Sequence, residues 1–155
     1  FKEDVAKDGA MVETFCRALV DGNADRIEQL FTEYLTKTIS VRDTFVRKPV
    51  KENFYHGILL GILSYKGGWY VTSNRESGDG FSDIMVRIDD EDVGIIIEVK
   101  YAENGKEEEM SRKALLQIHE KHYEKVLLDE DIHKVMNYGI ACNKKKCKVS
   151  MEISE

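Results

Sequence analysis

Between residues 82 and 101 the chain alternates apolar and polar positions on both sides of the tetrapeptide "DDED". Ile84, Val86 and Ile88 occupy every second position of the first arm, and Val93, Ile95, Ile97 and Val99 do so on the second. A period of two on each arm predicts two antiparallel strands, over about 82–89 and 93–101, joined by a tight turn. Elsewhere the period is that of a helix. Residues 8–38 read as helical: "MVETFCRALV" has an amphipathic face, and Asn23 is placed to cap "ADRIEQLFTEYLTK". In that second stretch Ile27, Leu30, Phe31, Tyr34 and Leu35 form one apolar stripe. A helix over about 50–65 follows Pro49, with Tyr55, Leu59 and Ile62 on one side and Glu52 on that same side, and it stops at Gly67 and Gly68.

"WYVTSN" reads as a strand and "RESGDG" as a turn-rich connection. After the hairpin, "GKEEEMSRKALLQIHEKHYEKVLLDE" predicts one long charged helix with an apolar face, its acids suiting the helix start. "VMNYGIAC" and "KCKVSMEI" predict two closing strands around "NKKK". The order is helix, three strands, helix, two strands, an α/β core over residues 49–155. The break "VRDTFVRKP" sets it apart from a helical arm over residues 1–48.

The hairpin carries charges where a simple core strand would not. A loop centred on Asp90 and Glu91, of two or of four residues, places Asp83 directly opposite Glu98, and Lys100 projects from the same face. Like charges facing one another across a ladder repel. Two arrangements relieve the repulsion: a divalent cation between the carboxylates, or an ion triad completed by Lys100.

Composition narrows the choice only in part. A chain of 155 residues with 42% hydrophobic and 34% charged residues can bury a real core. A formal net charge of -6 argues against coating nucleic acid by bulk electrostatics, yet suits a site that meets phosphate through a metal held by acids. No apolar run approaches the ~20 residues of a membrane span, and no signal peptide opens the chain. Three cysteines without a CxxC pattern point to reduced thiols and a cytoplasmic setting. Cys142 and Cys147 flank "NKKK" and read as unpaired thiols near a turn. The chain starts at Phe1, which is expected of a piece of something longer.

Asp83, followed after a gap by Glu98-Val99-Lys100 at the end of the next strand, resembles the PD-(D/E)XK nuclease superfamily. The segments "ENFYHGILLGIL", "SNRESGDGFSDIMV", "IIIEVKYA", "ALLQIHEKHYEK" and "YGIACNKKKCKV" are similar to one branch of it. That branch is the nuclease-like domain found at the C-terminus of bacterial proteins with an AAA-type ATPase-like N-terminal half. The resemblance covers roughly residues 50–149 and implies a restriction-endonuclease-like core, a central mixed sheet of about five strands flanked by helices. It makes the helical arm the end of a connection from the ATPase-like region.

The resemblance also implies roles. Asp83, Glu98 and the Val99 carbonyl would hold Mg²⁺ or Mn²⁺, and Lys100 would serve the attacking water or the charge on phosphate. Glu52 would reach the same metal, or a second one, through water, and Gln117 would orient Lys100 or the substrate. Tyr123 carries no firm role. The implied partners are nucleic acid, DNA before RNA, and the ATPase-like domain of the same chain. Phe81 stands where that branch is expected to have a basic or aromatic residue, and a phenyl ring cannot bind phosphate.

Other features read more plainly. His119 and His122, three apart, sit on a solvated helical face; His56 is a partly buried structural histidine; Gly78-Asp79-Gly80 is a turn; Lys144–Lys146 is a basic hairpin tip. Three readings stand: a metal-dependent endonuclease-like hydrolase, a catalytically idle nucleic-acid-binding or regulatory module, and an interaction module with a buried ion triad.

Overall fold

The computed structural model describes residues 9–38, 48–75 and 81–155. In chain order the elements are α1 (Gly9–Asp21), α2 (Ala24–Thr38), α3 (Lys48–Ser64), β1 (Tyr70–Arg75), β2 (Phe81–Ile88), β3 (Val93–Tyr101), α4 (Glu107–Lys121), α5 (Tyr123–Leu128), β4 (Lys134–Asn143) and β5 (Lys146–Ser154). The strands form one five-stranded mixed sheet in the order β1-β2-β3-β4-β5. Only β3 and β4 run parallel, because α4 and α5 carry the chain back between them.

The two faces of the sheet are covered by different helices. Ile84, Val86, Ile88, Val93, Ile95, Ile97 and Val99 form the apolar face the alternation predicts. They pack with Tyr138 and Ile140 of β4 against Phe15, Leu19, Phe31, Leu59 and Leu63 of α1–α3. The first two helices thus share their buried side with the sheet. Tyr138 Oη donates to the Leu19 carbonyl, and Glu28 accepts the Val149 amide at 3.0 Å. Asn23 caps α2 as read, its Oδ1 accepting the Arg26 amide at 3.1 Å. The preceding Gly22, at φ +74°, makes the turn between α1 and α2.

The other face meets α4 and α5, with Ile96, Ile118, Leu127, Ile132 and Val135 buried together. Here the expected single long helix is replaced by two. His122 takes a left-handed conformation, φ +58°, and its amide bonds back to His119. The reason lies in the spacing of the apolar residues. Ile118 and Leu127 are nine apart, and at ~100° per residue a continuous helix would point them to opposite sides. The break at His122 lets both reach Ile96.

Gly139 sets how closely α4 lies on the sheet. A Cβ there would stand 2.1 Å from the Ser111 carbonyl oxygen and 2.6 Å from the Leu115 amide nitrogen, both backbone atoms. Cys142 and Cys147 face each other in the β4–β5 register as buried free thiols. Among the described residues no helix is long and apolar enough to cross a membrane.

Gly139→Ala should therefore lower the melting temperature by about 6–12 °C, corresponding to ~3 kcal/mol of overpacking, or prevent folding. Gly57→Ala, on an open helical position with nothing within 4 Å, should be neutral or stabilising in the same thermal scan. Equal melting temperatures for the two variants would refute the close approach.

Candidate functional site

The site is set by where the β2–β3 ladder ends. Asp83 pairs with Glu98 as the last rung of the β2–β3 ladder, the register read from the turn. The loop between the strands is Asp89–Asp92, closed by Asp92 in a left-handed conformation. Backbone groups of successive strand residues point to alternate sides. Ala102 donates its amide to Cys142 at 2.9 Å, on the β4 side. Val99 and Tyr101 therefore direct their N–H and C=O toward the β2 side, beyond the last β2–β3 rung. By the same alternation Asp83 and Glu98 are a non-hydrogen-bonded pair, the class with Cα atoms ~4.5 Å apart and side chains closest.

Both carboxylates are enclosed, Asp83 at 0% and Glu98 at 1% exposure. They lie on the face covered by α4, beside Gly139, which neighbours Glu98 on β4. Glu98 Oε1 has two cations near it: Lys100 Nζ at 3.5 Å and Lys121 Nζ at 3.8 Å. Both lysine side chains reach solvent, at 20% and 25% exposure, so they link the buried acids to the surface. Asp83 Oδ1, Asp83 Oδ2 and Glu98 Oε2 are buried and accept no hydrogen bond among the described residues.

Burial, then hydrogen bonding and repulsion from Asp83, push the Glu98 carboxyl up to about 9, with Lys121 and Lys100 offsetting part of the rise. A neutral Glu98 carries the proton that two ionised carboxylates lack, which removes the repulsion between them. The same two acids fit a divalent cation: buried oxygens without partners, on one face, at a place where a backbone carbonyl also turns outward. Among the described residues no group of three or more His, Cys, Asp or Glu gathers. Mg²⁺ is commonly held by one or two carboxylates, with waters and phosphate completing its shell.

The remaining sequence-derived residues fall around this centre. Glu52 is half-buried and accepts the Tyr101 amide at 3.2 Å. It comes from α3, on the opposite face of the sheet from the carboxylates, and meets the strand edge two residues past Val99. Gln117 lies half-buried on α4 with no hydrogen bond among the described residues. Lys121, one turn further along that helix, is the residue that reaches Glu98, and sequence reasoning missed it. Its signal was the four-residue spacing from Gln117, which puts both on one side.

His56 is buried and bonds Ser73 through Nε2 at 2.7 Å. His119 bonds Glu152, while His122 caps the helix, so the two do not form a chelating pair. Gly78-Asp79-Gly80 and the side chains of Phe81 and Tyr123 lie outside the described residues.

The raised Glu98 predicts a pH dependence. Its folded pKa is above the unfolded one, so the folded state holds the extra proton between the ordinary carboxylate range and about 9. Stability from this group is therefore lost as pH rises through that window. The melting temperature without metal should fall from pH 5 to pH 8.5, and Glu98→Gln should flatten the fall. A wild-type slope unchanged in Glu98→Gln would show that Glu98 does not hold the proton.

A model of the PD-(D/E)XK nuclease superfamily matches residues 50–152, while no curated protein and no solved structure matches the chain. The matched span holds Glu52, Asp83, Glu98, Lys100, Gln117 and Lys121. Its five-stranded mixed sheet flanked by helices has the restriction-endonuclease-like form, and PD-(D/E)XK nucleases generally use divalent metal ions. On the match across two-thirds of its length, this chain belongs to the PD-(D/E)XK nuclease superfamily.

Proposed function

We propose that this chain is a divalent-metal-dependent phosphodiester hydrolase acting on nucleic acid, with DNA preferred over RNA. The observation that carries the reading is the buried Asp83–Glu98 pair, with three oxygens lacking partners, set beside the solvent-reaching Lys100. Asp83, Glu98 and the Val99 carbonyl would hold Mg²⁺ or Mn²⁺. Such an ion supplies Lewis acidity to a phosphodiester and lowers the pKa of water.

The chain's own residues do the rest. Neutral Glu98 would release its proton to solvent, becoming the ionised ligand, when a cation takes the place between the two acids. Lys100, one strand position beyond Val99 and on the face of Glu98, orients the attacking water or meets the charge that develops on phosphate. Lys121 brings a second positive charge from α4 to the same carboxylate. Glu52, bonded to the Tyr101 amide, braces the strand end and would reach the same metal, or a second one, through water. Gln117 orients Lys100 or the substrate from α4. We further read residues 1–48 as the end of a connection from an AAA-type ATPase-like domain.

A second reading is a catalytically idle module that binds nucleic acid or regulates a partner domain. It is favoured by the two lysines on Glu98 Oε1, which with a shared proton can satisfy the acids without metal.

A cation titration separates the two. A ligand that binds only the folded state at a hundred times its Kd stabilises by ~2.7 kcal/mol. Millimolar Mn²⁺ or Mg²⁺ should thus raise the melting temperature by a few degrees, and Asp83→Ala should abolish the gain. Lys100→Ala should keep most of the gain yet eliminate cleavage of labelled DNA in Mn²⁺. Melting curves indifferent to both cations would transfer the protein to the idle-module reading.

A further inference from the structure

Beyond Lys100 the sheet ends in a basic corner that the catalytic residues do not explain. Asn143 pairs with Lys146, so β4 and β5 are joined by a two-residue loop, Lys144-Lys145. Lys144 sits there at φ +53°. Such loops favour Gly, Asn or Asp, and a lysine in the left-handed region carries strain that glycine would not. Strain kept where a simpler residue would fit directs attention to function.

The tip is also fastened to the catalytic strand. Tyr55 Oη donates to the Lys144 carbonyl at 2.7 Å. Asn143 Nδ2 donates to the Ala102 carbonyl at 2.6 Å and to Tyr101 Oη at 3.4 Å. Lys51 Nζ donates to that same hydroxyl at 3.3 Å and lies 4.4 Å from the Tyr101 ring centroid. Lys51 and the backbone of the lysine tip therefore meet at the strand end that follows Lys100. Lys148 is paired with Glu28 at 3.5 Å, but Lys144, Lys145 and Lys146 meet no carboxylate among the described residues. In a chain of net charge -6, this is a local reversal of sign.

We propose that the Lys144–Lys146 tip is a nucleic-acid docking element that grips the sugar–phosphate backbone to one side of the bond presented to Lys100. Ala141 lies beside Lys100, and Lys144 is three residues further on, ~10 Å at ~3.3 Å per residue. That span is about three nucleotides at the ~3.4 Å rise of a duplex strand. Contacts from lysines to phosphate carry no sequence preference, so the element positions substrate rather than selects it. The choice of partner rests on the hydrolase reading, but its test does not need cleavage.

Binding of a fluorescently labelled 20-nucleotide DNA, single-stranded and duplex, and of the matching RNA, is measured by anisotropy in EDTA across a salt series. Lys144→Ser/Lys145→Ser/Lys146→Ser should weaken binding at least tenfold at low salt. It should also reduce the slope of log K against log salt by about 2–3, as expected for three lost phosphate contacts. Lys144→Gly alone should raise the melting temperature while weakening binding, opposite signs that a purely structural lysine would not give. An unchanged affinity and salt slope in the triple variant, no binding of any of the three nucleic acids by the wild type, or parallel loss of stability and affinity in Lys144→Gly would each overturn the proposal. Cleavage in Mn²⁺ then separates the two claims. Wild-type cleavage with an unaltered KM in the triple variant removes the docking element and leaves the hydrolase. Lysine-dependent binding without cleavage leaves the docking element and removes the hydrolase.

Discussion

Two carboxylates held opposite one another in an enclosed place are the constraint around which the rest of this structure is arranged. Asp83 and Glu98 cannot both be ionised there without a positive partner, because burial weakens solvation and strengthens repulsion together. The protein answers with a proton on Glu98 and with Lys100 and Lys121 against one of its oxygens. Each of these depends on a different part of the fold. The proton depends on the hairpin register, Lys100 on the strand continuing past its partner, and Lys121 on the helix lying close to the sheet at Gly139.

The end of the β2–β3 ladder at Asp83 and Glu98 leaves the rest of β3 free to meet other groups. β3 continues beyond the last β2–β3 rung, so Val99 and Tyr101 turn backbone groups toward a side where no β2 rung forms. Glu52 takes one of them, and reaches it from the helix layer opposite to the acids. Residues from both layers therefore meet at one strand end, which neither layer could supply alone. The basic β4–β5 corner is tied to the same end through Tyr101, Ala102 and Asn143.

Much of this was legible because it is local. The alternation of Ile84 to Val99, the position of the turn and the cap at Asn23 all act within a few residues, and each reappears in the structure. The break at His122 was not legible, since no glycine or proline marks it. What selects it is the need for Ile118 and Leu127 to reach one cluster, and that cluster includes Ile96 on a distant strand. Glu52 was correctly read as sharing the buried side of its helix, but which face of the sheet that side covers is not a local property.

The sequence by itself determined the pairing of Asp83 with Glu98 and the side on which Lys100 stands, because a period of two and a short turn leave one register that buries the apolar face. Only the tertiary structure decided that Lys121 joins Glu98, that Glu52 arrives from the other layer, and that the Lys144 tip is held beside the end of β3. Those facts depend on the packing of helices on a sheet and on close backbone approach at Gly139, distances set between segments far apart in the chain.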